Sequence, residues 1–459
     1  MSDVINISMY NTIFDRLINF DKVGKEDCMV FIHKYQTMID ELEEEQLEDR
    51  AWLLNKIGYY YAINQNFDKS LTFLQESLAT YEKIFPYQWM SYNEEMPQTY
   101  ELFSNISMVY YCLEMYDDAL LFADRAFWAG VGDDSKKIAN YELKDTILLS
   151  LGFFHAAEDN QKTAVAWSEE YYGNNHQITK RLRLRQAYAG VKEKNVLNDE
   201  LIKKFQVVLD TYMTDYDSTS LGWALGCEYL SDTLNKQGHF HEALKKAIEA
   251  KVIREQTFGI CHIETRMIYR LIADIYARNG DDEHAFMWFK KSMPGKFEFG
   301  GGYSIVQEKM SLLYKNSKEW EKAIECLKEA VSNWEVTYTN NCSRALKDVE
   351  KIADLCICSG QKDLGMDYYT YILNHCKDYK ELSNYFDRVG DLYYEDHNFE
   401  KALYCYENSR SNQMWAESTS RNRFSLEHYT EHIDKKIANV QTLIKDKHII
   451  NRVKKFFFS

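Results

Sequence analysis

One spacing of side chains recurs along the chain and constrains its fold more than any other feature. A large residue is followed three positions later by an apolar one and then a small one, and three positions further by a residue that is usually aromatic. In the stretch IADIYARNGDDEHAFMWF this helical pattern ends at the turn Asn279-Gly280, and a second helical pattern begins. The spacing occurs eight times, at Leu54, Ile57, Gly58, Tyr61; Phe103, Ile106, Ser107, Tyr110; Leu148, Leu151, Gly152, His155; Cys227, Leu230, Ser231, Leu234; Tyr269, Ile272, Ala273, Tyr276; Gln307, Met310, Ser311, Tyr314; Val349, Ile352, Ala353, Cys356; and Phe386, Val389, Gly390, Tyr393.

Each copy is followed by a short polar turn and by a second helical pattern that opens with a small residue. These residues are Ser70, Ala119, Ala164, Ala243, Ala285, Ala323, Gly365 and Ala402. Small side chains let two antiparallel helices pack closely, and large ones fill the space between neighbouring pairs. The interval between Ala164 and Ala243 is about twice the usual period of roughly 40 residues. This interval predicts a degenerate copy around residues 178–212.

The spacing resembles the tetratricopeptide repeat over about residues 50–410. The longer form AKVIREQTFGICHIETRMIYRLIADIYARNG is similar to the repeats of kinesin light chains. The resemblance implies an all-α fold, a right-handed superhelical solenoid of antiparallel helix pairs, with capping elements at both ends. The proline that usually ends the second helix of such repeats is almost entirely absent.

This pattern divides the chain into five predicted segments. Residues 1–49 are expected to form an N-terminal helical cap whose second helix ends in the acidic run Asp40 to Asp49. Repeats fill residues 50–295 and 305–412. Between them, residues 296–304 contain Gly300 to Gly302 and form a predicted hinge. Residues 413–459 are predicted to contain a capping helix, Phe424 to Lys447, and a basic, aromatic tail.

Composition narrows the classes of partner. A formal net charge of −16 opposes general nucleic-acid binding, because each phosphate would be met against a repulsive field. No apolar run is long enough for a membrane span, and the first residues lack the features of a signal peptide. The ten cysteines are scattered through helical patterns, which favours reduced thiols. We therefore expect a soluble, cytoplasmic protein with protein or peptide partners.

One short motif could carry chemistry. HYTEH places His428, Glu431 and His432 in the order used by inverted zinc peptidases. A catalytic zinc needs a third protein ligand, and no glutamate follows Glu431. A capping helix is the better interpretation of this segment. Nucleotide-binding and nucleophile-elbow motifs do not occur, so the sequence predicts neither an enzyme nor a cofactor nor a metal.

In the family that the chain resembles, the first helix of each repeat lines a concave groove that binds peptides or helices. If this carries over, the inward residues of the early copies are apolar, aromatic or amide, and those of the later copies are mostly acidic. The first set is Trp52, Asn55, Tyr59, Met108, Tyr111 and Phe153, and the second set is Glu228, Asp232, Asn235, Arg270, Asp274, Glu308, Glu350, Asp354, Asp387 and Asp391. A partner with an apolar anchor and basic residues would complement both sets. Each of these residues could equally belong to the core between repeats.

The leading hypothesis is a non-catalytic adaptor or scaffold that holds a partner segment in this groove. A peptide-sensing bacterial signalling regulator, whose repeats close around a short peptide, is the alternative. A metal-dependent peptidase built on HYTEH is the third hypothesis.

Overall fold

The computed structural model describes residues 25–85, 99–130, 132–151, 153–193, 199–293, 301–338, 343–418 and 432–445. All regular elements in these ranges are helices. The first is α1 (Lys25–Asp40), and the last, α20, spans residues 432–445. The predicted fold class, an all-α solenoid of helix pairs, is confirmed.

Between these two helices the described residues form nine helix pairs, here called repeats 1 to 9. They are α2 (Leu47–Ile63) with α3 (Phe67–Ile84), α4 (Tyr100–Cys112) with α5 (Tyr116–Ala129), α6 (Asp134–Leu151) with α7 (Phe154–Tyr171), α8 (Gln177–Glu193) with α9 (Asp199–Met213), α10 (Leu221–Gln237) with α11 (Phe240–Phe258), α12 (Ile263–Arg278) with α13 (Asp282–Ser292), α14 (Gly302–Asn316) with α15 (Trp320–Tyr338), α16 (Ser343–Cys358) with α17 (Lys362–His375), and α18 (Tyr379–Glu395) with α19 (Phe399–Ser418). Repeat 4 occupies the place of the degenerate copy.

The small residues of the recurring spacing lie where the two helices of a pair touch. A Cβ atom on Gly58 would come within 2.6 Å of the Leu74 side chain, so only glycine fits that approach. Ser70 donates a hydrogen bond of 2.7 Å to the carbonyl of Gly58, and Ser107 donates one of the same length to Ala119. Buried hydroxyls thus find backbone acceptors while the helices stay close.

The turn inside seven of the nine described pairs has the same register, with repeats 3 and 4 as the exceptions. The residue seven positions after the small one adopts a left-handed conformation, with φ between 56° and 85°, at Gln65, Glu114, Gly238, Gly280, Lys318, Gly360 and His397. Glycine is favoured there because a Cβ atom is strained at positive φ. Four repeats nevertheless carry a larger side chain at this position.

The chain divides into two compact units, which we call unit 1 (residues 1–302) and unit 2 (residues 303–459). The division falls inside the segment 296–304, whose role as a hinge stays a prediction. In unit 2, α20 packs Ile433 and Val440 against Ala402 and Tyr406 of repeat 9. The rest of the predicted capping segment and the tail lie outside the described residues.

The acidic run Asp40 to Asp49 differs from the expectation for the N-terminal cap. Helix α1 ends at Asp40, residues 41–46 form turns, and α2 begins at Leu47. The run therefore spans a connection between two helices. Glu48 and Asp49 lie in the first turn of α2, where the helix dipole favours negative charge.

Candidate partner-binding faces

The predicted inward residues of repeats 1 and 2 are mostly part of the core. Asn55, Tyr59, Met108 and Tyr111 are buried, and Asn55 accepts a hydrogen bond of 3.0 Å from the Asn105 amide. For these four residues the structure matches the core interpretation.

The other two residues of the apolar set are accessible. Trp52 is 40% exposed and makes an edge contact with Tyr35 of α1, with Lys56 near its ring. Phe153 is 54% exposed and precedes α7, so it stands in the turn of repeat 3. Trp52 and Phe153 therefore differ from the four buried side chains in being accessible.

The predicted acidic residues of unit 1 are engaged by neighbouring helices. Glu228 forms an ion pair with Arg254 at 2.5 Å. Asp232 forms an ion pair with Lys192 at 2.9 Å and accepts a hydrogen bond of 3.1 Å from the Tyr188 hydroxyl. Burial raises the pKa of Glu228 although Arg254 counters it. Asn235 is also buried, and Asp274 is partly buried. These side chains form internal contacts of the array.

Two further buried carboxylates, Glu142 and Asp145, were not among the predicted residues and connect repeats 3 and 4. Glu142 is 1% exposed and pairs with Arg181 at 2.5 Å and Arg185 at 3.3 Å. Burial alone would raise the pKa of Glu142, but the two arginines overcome it and hold the pKa below its usual value. Asp145 accepts a hydrogen bond from Gln161 and lies 3.5 Å from Arg185. Burial dominates at Asp145 and raises its pKa to about 7.

A second buried ion cluster connects the two ends of unit 1. Glu114, in the turn of repeat 2, pairs with Arg266 at 2.9 Å and with Arg270 at 2.5 Å. Both arginines belong to α12, so the predicted groove residue Arg270 is occupied by a carboxylate from this chain. Burial favours the neutral acid, but the arginines hold the pKa of Glu114 below its usual value.

The first helices of unit 2 present an accessible and regular arrangement of charge. Glu308 pairs with Lys351 at 2.5 Å, Asp354 with Arg388 at 3.3 Å, and Asp391 with Lys436 at 2.7 Å. In each case the cation comes from the first helix of the following repeat, or from α20 after repeat 9. We call this arrangement the charge ladder, defined by Glu308, Glu350, Lys351, Asp354, Asp387, Arg388, Asp391 and Lys436.

Tyrosine hydroxyls add a second contact to the ladder. Tyr369 donates a hydrogen bond of 2.8 Å to Asp354, and Tyr406 donates one of 2.7 Å to Asp391. The tyrosine in each case belongs to the second helix of the same repeat. Burial and the neighbouring carboxylate both raise the pKa of each phenol, so the hydroxyls stay protonated and act as donors.

In the middle of the ladder, the carboxylates of Glu350 and Asp354 lie near the cation Arg388. Burial and the nearby Asp354 carboxylate raise the pKa of Glu350, although Tyr385 lowers it. Arg388 is 48% exposed and is the cation at Asp354. At the far end, by contrast, Lys436 contacts both Asp387, at 2.8 Å, and Asp391. Lys436 thus contacts both carboxylates of its pair, whereas Arg388 is paired with Asp354.

The ladder cations Lys351, Arg388 and Lys436 were missed by the sequence analysis. A pattern could have revealed them, because Lys309, Lys351 and Arg388 each stand two residues before the small residue of their repeat. Lys436 stands two residues before Ala438 in the same way. Helix α20 thus continues the first-helix register of unit 2.

The motif HYTEH is only partly described. His432 begins α20, while His428 to Glu431 lie outside the described residues. Within the described ranges, no three His, Cys, Asp or Glu side chains converge as a metal site would require. Nor does any helix in those ranges have the length and apolar composition needed to cross a membrane.

Stacked helix pairs of this kind define a class, the helical-repeat proteins, whose general use is as scaffolds for protein interaction. Residues 50–87, which cover most of α2 and all of α3, match the tetratricopeptide repeat family. The predicted resemblance is confirmed, and the chain carries tetratricopeptide-type repeats. No curated protein sequence matches it.

Solved structures of repeat proteins are similar to the chain at low identity. BtubC (BKLC) from P. vanneervenii is 18% identical, with 52% of this chain and 94% of that one covered and a TM-score of 0.36. The APC/C hetero-tetramer Cut9-Hcn1 is 11% identical, with coverage of 90% and 82% and a TM-score of 0.43. A putative kinesin light chain with tetratricopeptide-like repeats from P. anserina is 14% identical, with coverage of 46% and 100% and a TM-score of 0.33. At these scores we infer nothing about partners from them.

Proposed function

We propose that this protein is a non-catalytic scaffold that binds a lysine- or arginine-bearing segment of a partner protein along the charge ladder of unit 2. The observation that carries the proposal is the repeated use of a Lys or Arg side chain to satisfy each first-helix carboxylate. A surface that already orders cations from the neighbouring helix has the geometry to order cations from another chain.

The ladder is accessible as well as acidic. The Asp354 and Asp391 side chains are about 40% exposed, and Glu308 is 31% exposed. Leu312 occupies the place of Asp354 and Asp391 in repeat 7, and it is 54% exposed. An apolar anchor on Leu312 followed by a cation near Glu350 and Asp354 would therefore engage two neighbouring repeats.

Unit 1 contributes little to this surface. Apart from the exposed Trp52 and Phe153, most of its predicted inward residues are buried or paired across helices, so a partner would have to displace several internal contacts there. Removing one member of a buried ion pair costs far more than competing with an exposed one. Binding on unit 2 and a cytoplasmic location together form the proposal.

The test uses a charge-neutral, nearly isosteric variant, Glu350→Gln with Asp354→Asn. Partners would be captured on the purified full chain from native extract, and the basic segment of a captured partner would then be titrated by calorimetry. We expect Kd to rise about tenfold, which corresponds to about 1.4 kcal/mol. The affinity of the wild type should also fall as salt is raised, because the charges are exposed.

The matched control is Asp363→Asn with Asp367→Asn. These exposed residues have the same spacing of four and belong to α17, the second helix of the same repeat. Equal weakening by both variants would point to net charge alone, and unchanged affinity in the ladder variant would reject the proposed surface.

A further inference from the structure

Two left-handed turn residues in unit 1 carry side chains where other repeats have glycine. Repeats 5, 6 and 8 use Gly238, Gly280 and Gly360 at this position, whereas repeats 1 and 2 use Gln65 and Glu114. A side chain at positive φ costs roughly 1 kcal/mol or more. At Gln65 and Glu114 the side chains also make long-range contacts that glycine could not make.

Both side chains reach across unit 1 to the same region. Gln65 donates a hydrogen bond of 2.7 Å to the carbonyl of Phe258, the last residue of α11. Glu114 accepts from Arg266 at 2.9 Å and from Arg270 at 2.5 and 2.8 Å, all in the next helix, α12. Repeats 1 and 2 are thereby tied to the junction of repeats 5 and 6, at a sequence separation of 152 to 193 residues.

Glu114 is enclosed on several sides. Its side chain is 1% exposed, and Tyr116 donates a hydrogen bond of 3.3 Å to its carboxylate. A Cβ atom on Gly302, the last residue of unit 1, would collide with the same carboxylate. Tyr111, on the preceding helix, places its hydroxyl 3.4 Å from the Met267 sulfur of α12. The closure is therefore a packed interface and not a surface ion pair.

We propose that Glu114, assisted by Gln65, is an intramolecular lock that holds repeats 1 and 2 against repeats 5 and 6, and that its release opens the inner face of unit 1. One carboxylate, Glu114, makes the ion pairs between two segments that are far apart in sequence. Release of the lock separates two preformed groups of helices and does not require any helix pair to unfold. This proposal concerns unit 1 and is independent of the charge ladder of unit 2.

The chain contains its own reporter for the lock. Cys112 ends α4, two residues before Glu114, and it is buried. Burial raises the pKa of the Cys112 thiol, with a further contribution from Glu264, so the closed form disfavours the reactive thiolate. Cys405 is a buried thiol in unit 2, and Cys261 is exposed. Labelling the native full chain with a thiol reagent and mapping the peptides by mass spectrometry reports all three at once.

The deciding variant is Glu114→Gly, which removes the carboxylate and supplies the residue that the turn prefers. We expect Cys112 to be labelled at least about tenfold faster, because two buried arginines lose their partner, while Cys405 stays protected. Lys318→Gly is the matched control, since Lys318 holds the same turn position in repeat 7 at the same φ of 60°. It should change neither rate.

Selective acceleration at Cys112 supports the lock, and an unchanged Cys112 rate overturns it. If Cys112 and Cys405 both accelerate, the variant has unfolded generally, and Glu114→Gln then decides because it keeps the turn and the side-chain volume. Because the Glu114 carboxylate also raises the pKa of the Cys112 thiol, the rates are compared at equal thiolate fraction. Selective acceleration in that variant then supports the lock, and any other pattern rejects it.

Discussion

Two carboxylates on first helices, Glu142 in unit 1 and Asp354 in unit 2, have opposite surroundings. Glu142 is 1% exposed and sits between Arg181 and Arg185. Asp354 is 40% exposed and has Arg388 at 3.3 Å. Both follow the same rule, an acid on one first helix and a cation on the next. Burial decides what the pair does, because a buried pair fixes the packing of its helices and an exposed one remains open to competition.

The largest expected difference between the units is in stability. Glu142→Gln leaves Arg181 without its buried carboxylate partner and Arg185 with Asp145 alone, and we expect unit 1 to lose about 3–5 kcal/mol. Asp354→Asn in unit 2 should cost no more than about 1 kcal/mol, because its partner is exposed. Hydrogen exchange measures both losses of stability, in α6 and α8 for the Glu142 variant and in α16 and α18 for the Asp354 variant. Similar losses in the two variants would show that burial does not separate the units.

A smaller difference should appear with pH. The pKa of Asp145 in the folded chain is about 7, above an unfolded value of about 3.9. The folded state therefore binds more protons in this window, and the contribution of Asp145 to stability is lost as pH rises through about 7. Asp145→Asn should remove this dependence and stabilise unit 1 at about pH 8, relative to about pH 5, by roughly 1–3 kcal/mol.

Urea unfolding of the wild type and the Asp145→Asn variant, at both pH values, makes the comparison. Glu308→Gln serves as the control for loss of a carboxylate, because Glu308 is partly exposed and belongs to unit 2. Parallel pH profiles for the wild type and the Asp145 variant would contradict the expected titration.

Lys436 sharpens the comparison at the end of unit 2. Burial lowers its pKa, but hydrogen bonds and charge from Asp387 and Asp391 outweigh burial and raise it. Lys436→Met keeps an apolar side chain of similar length but removes both ion pairs and the ammonium that lies 5.2 Å from the Tyr406 ring centroid. We expect α20 to dock more weakly by up to about 1 kcal/mol, seen as faster hydrogen exchange in residues 432–445. Lys445→Met, on the same helix, should leave exchange unchanged, and equal effects would dismiss the ladder contact.

The repeat array was predictable because its sequence pattern is local. A small residue such as Gly58 or Ser107 stands at a fixed distance from the turn because it must let a second helix approach. This requirement produces a periodic pattern in the sequence. The acidic positions of unit 2 were visible for the same reason. The matching cations could have been found in the same way, by aligning the position two residues before each small residue.

The closure of unit 1 was beyond the reach of the same pattern. Glu114 and Arg270 lie 156 residues apart, and whether they meet depends on the small rotation added by every repeat between them. The spacing of residues within one repeat does not predict the total rotation accumulated over several repeats. Tyr111, for which groove and core were equally open, contacts the distant helix α12 through the Met267 sulfur and is buried.

The smallest expected effect separates a strained turn that forms a distant contact from one that does not. Glu114→Gly should destabilise unit 1, because the lost ion pairs outweigh the relief of positive φ. Lys318→Gly and His397→Gly relieve the same strain in unit 2, but glycine also adds freedom to the unfolded chain. The net gain should be a few tenths of a kcal/mol to at most about 1 kcal/mol.

Urea unfolding of the three single variants measures the sign of the change in stability directly. Stabilisation by all three would mean that the Glu114 side chain contributes nothing beyond strain, whereas opposite signs would confirm that the turn in repeat 2 trades local strain for a long-range contact.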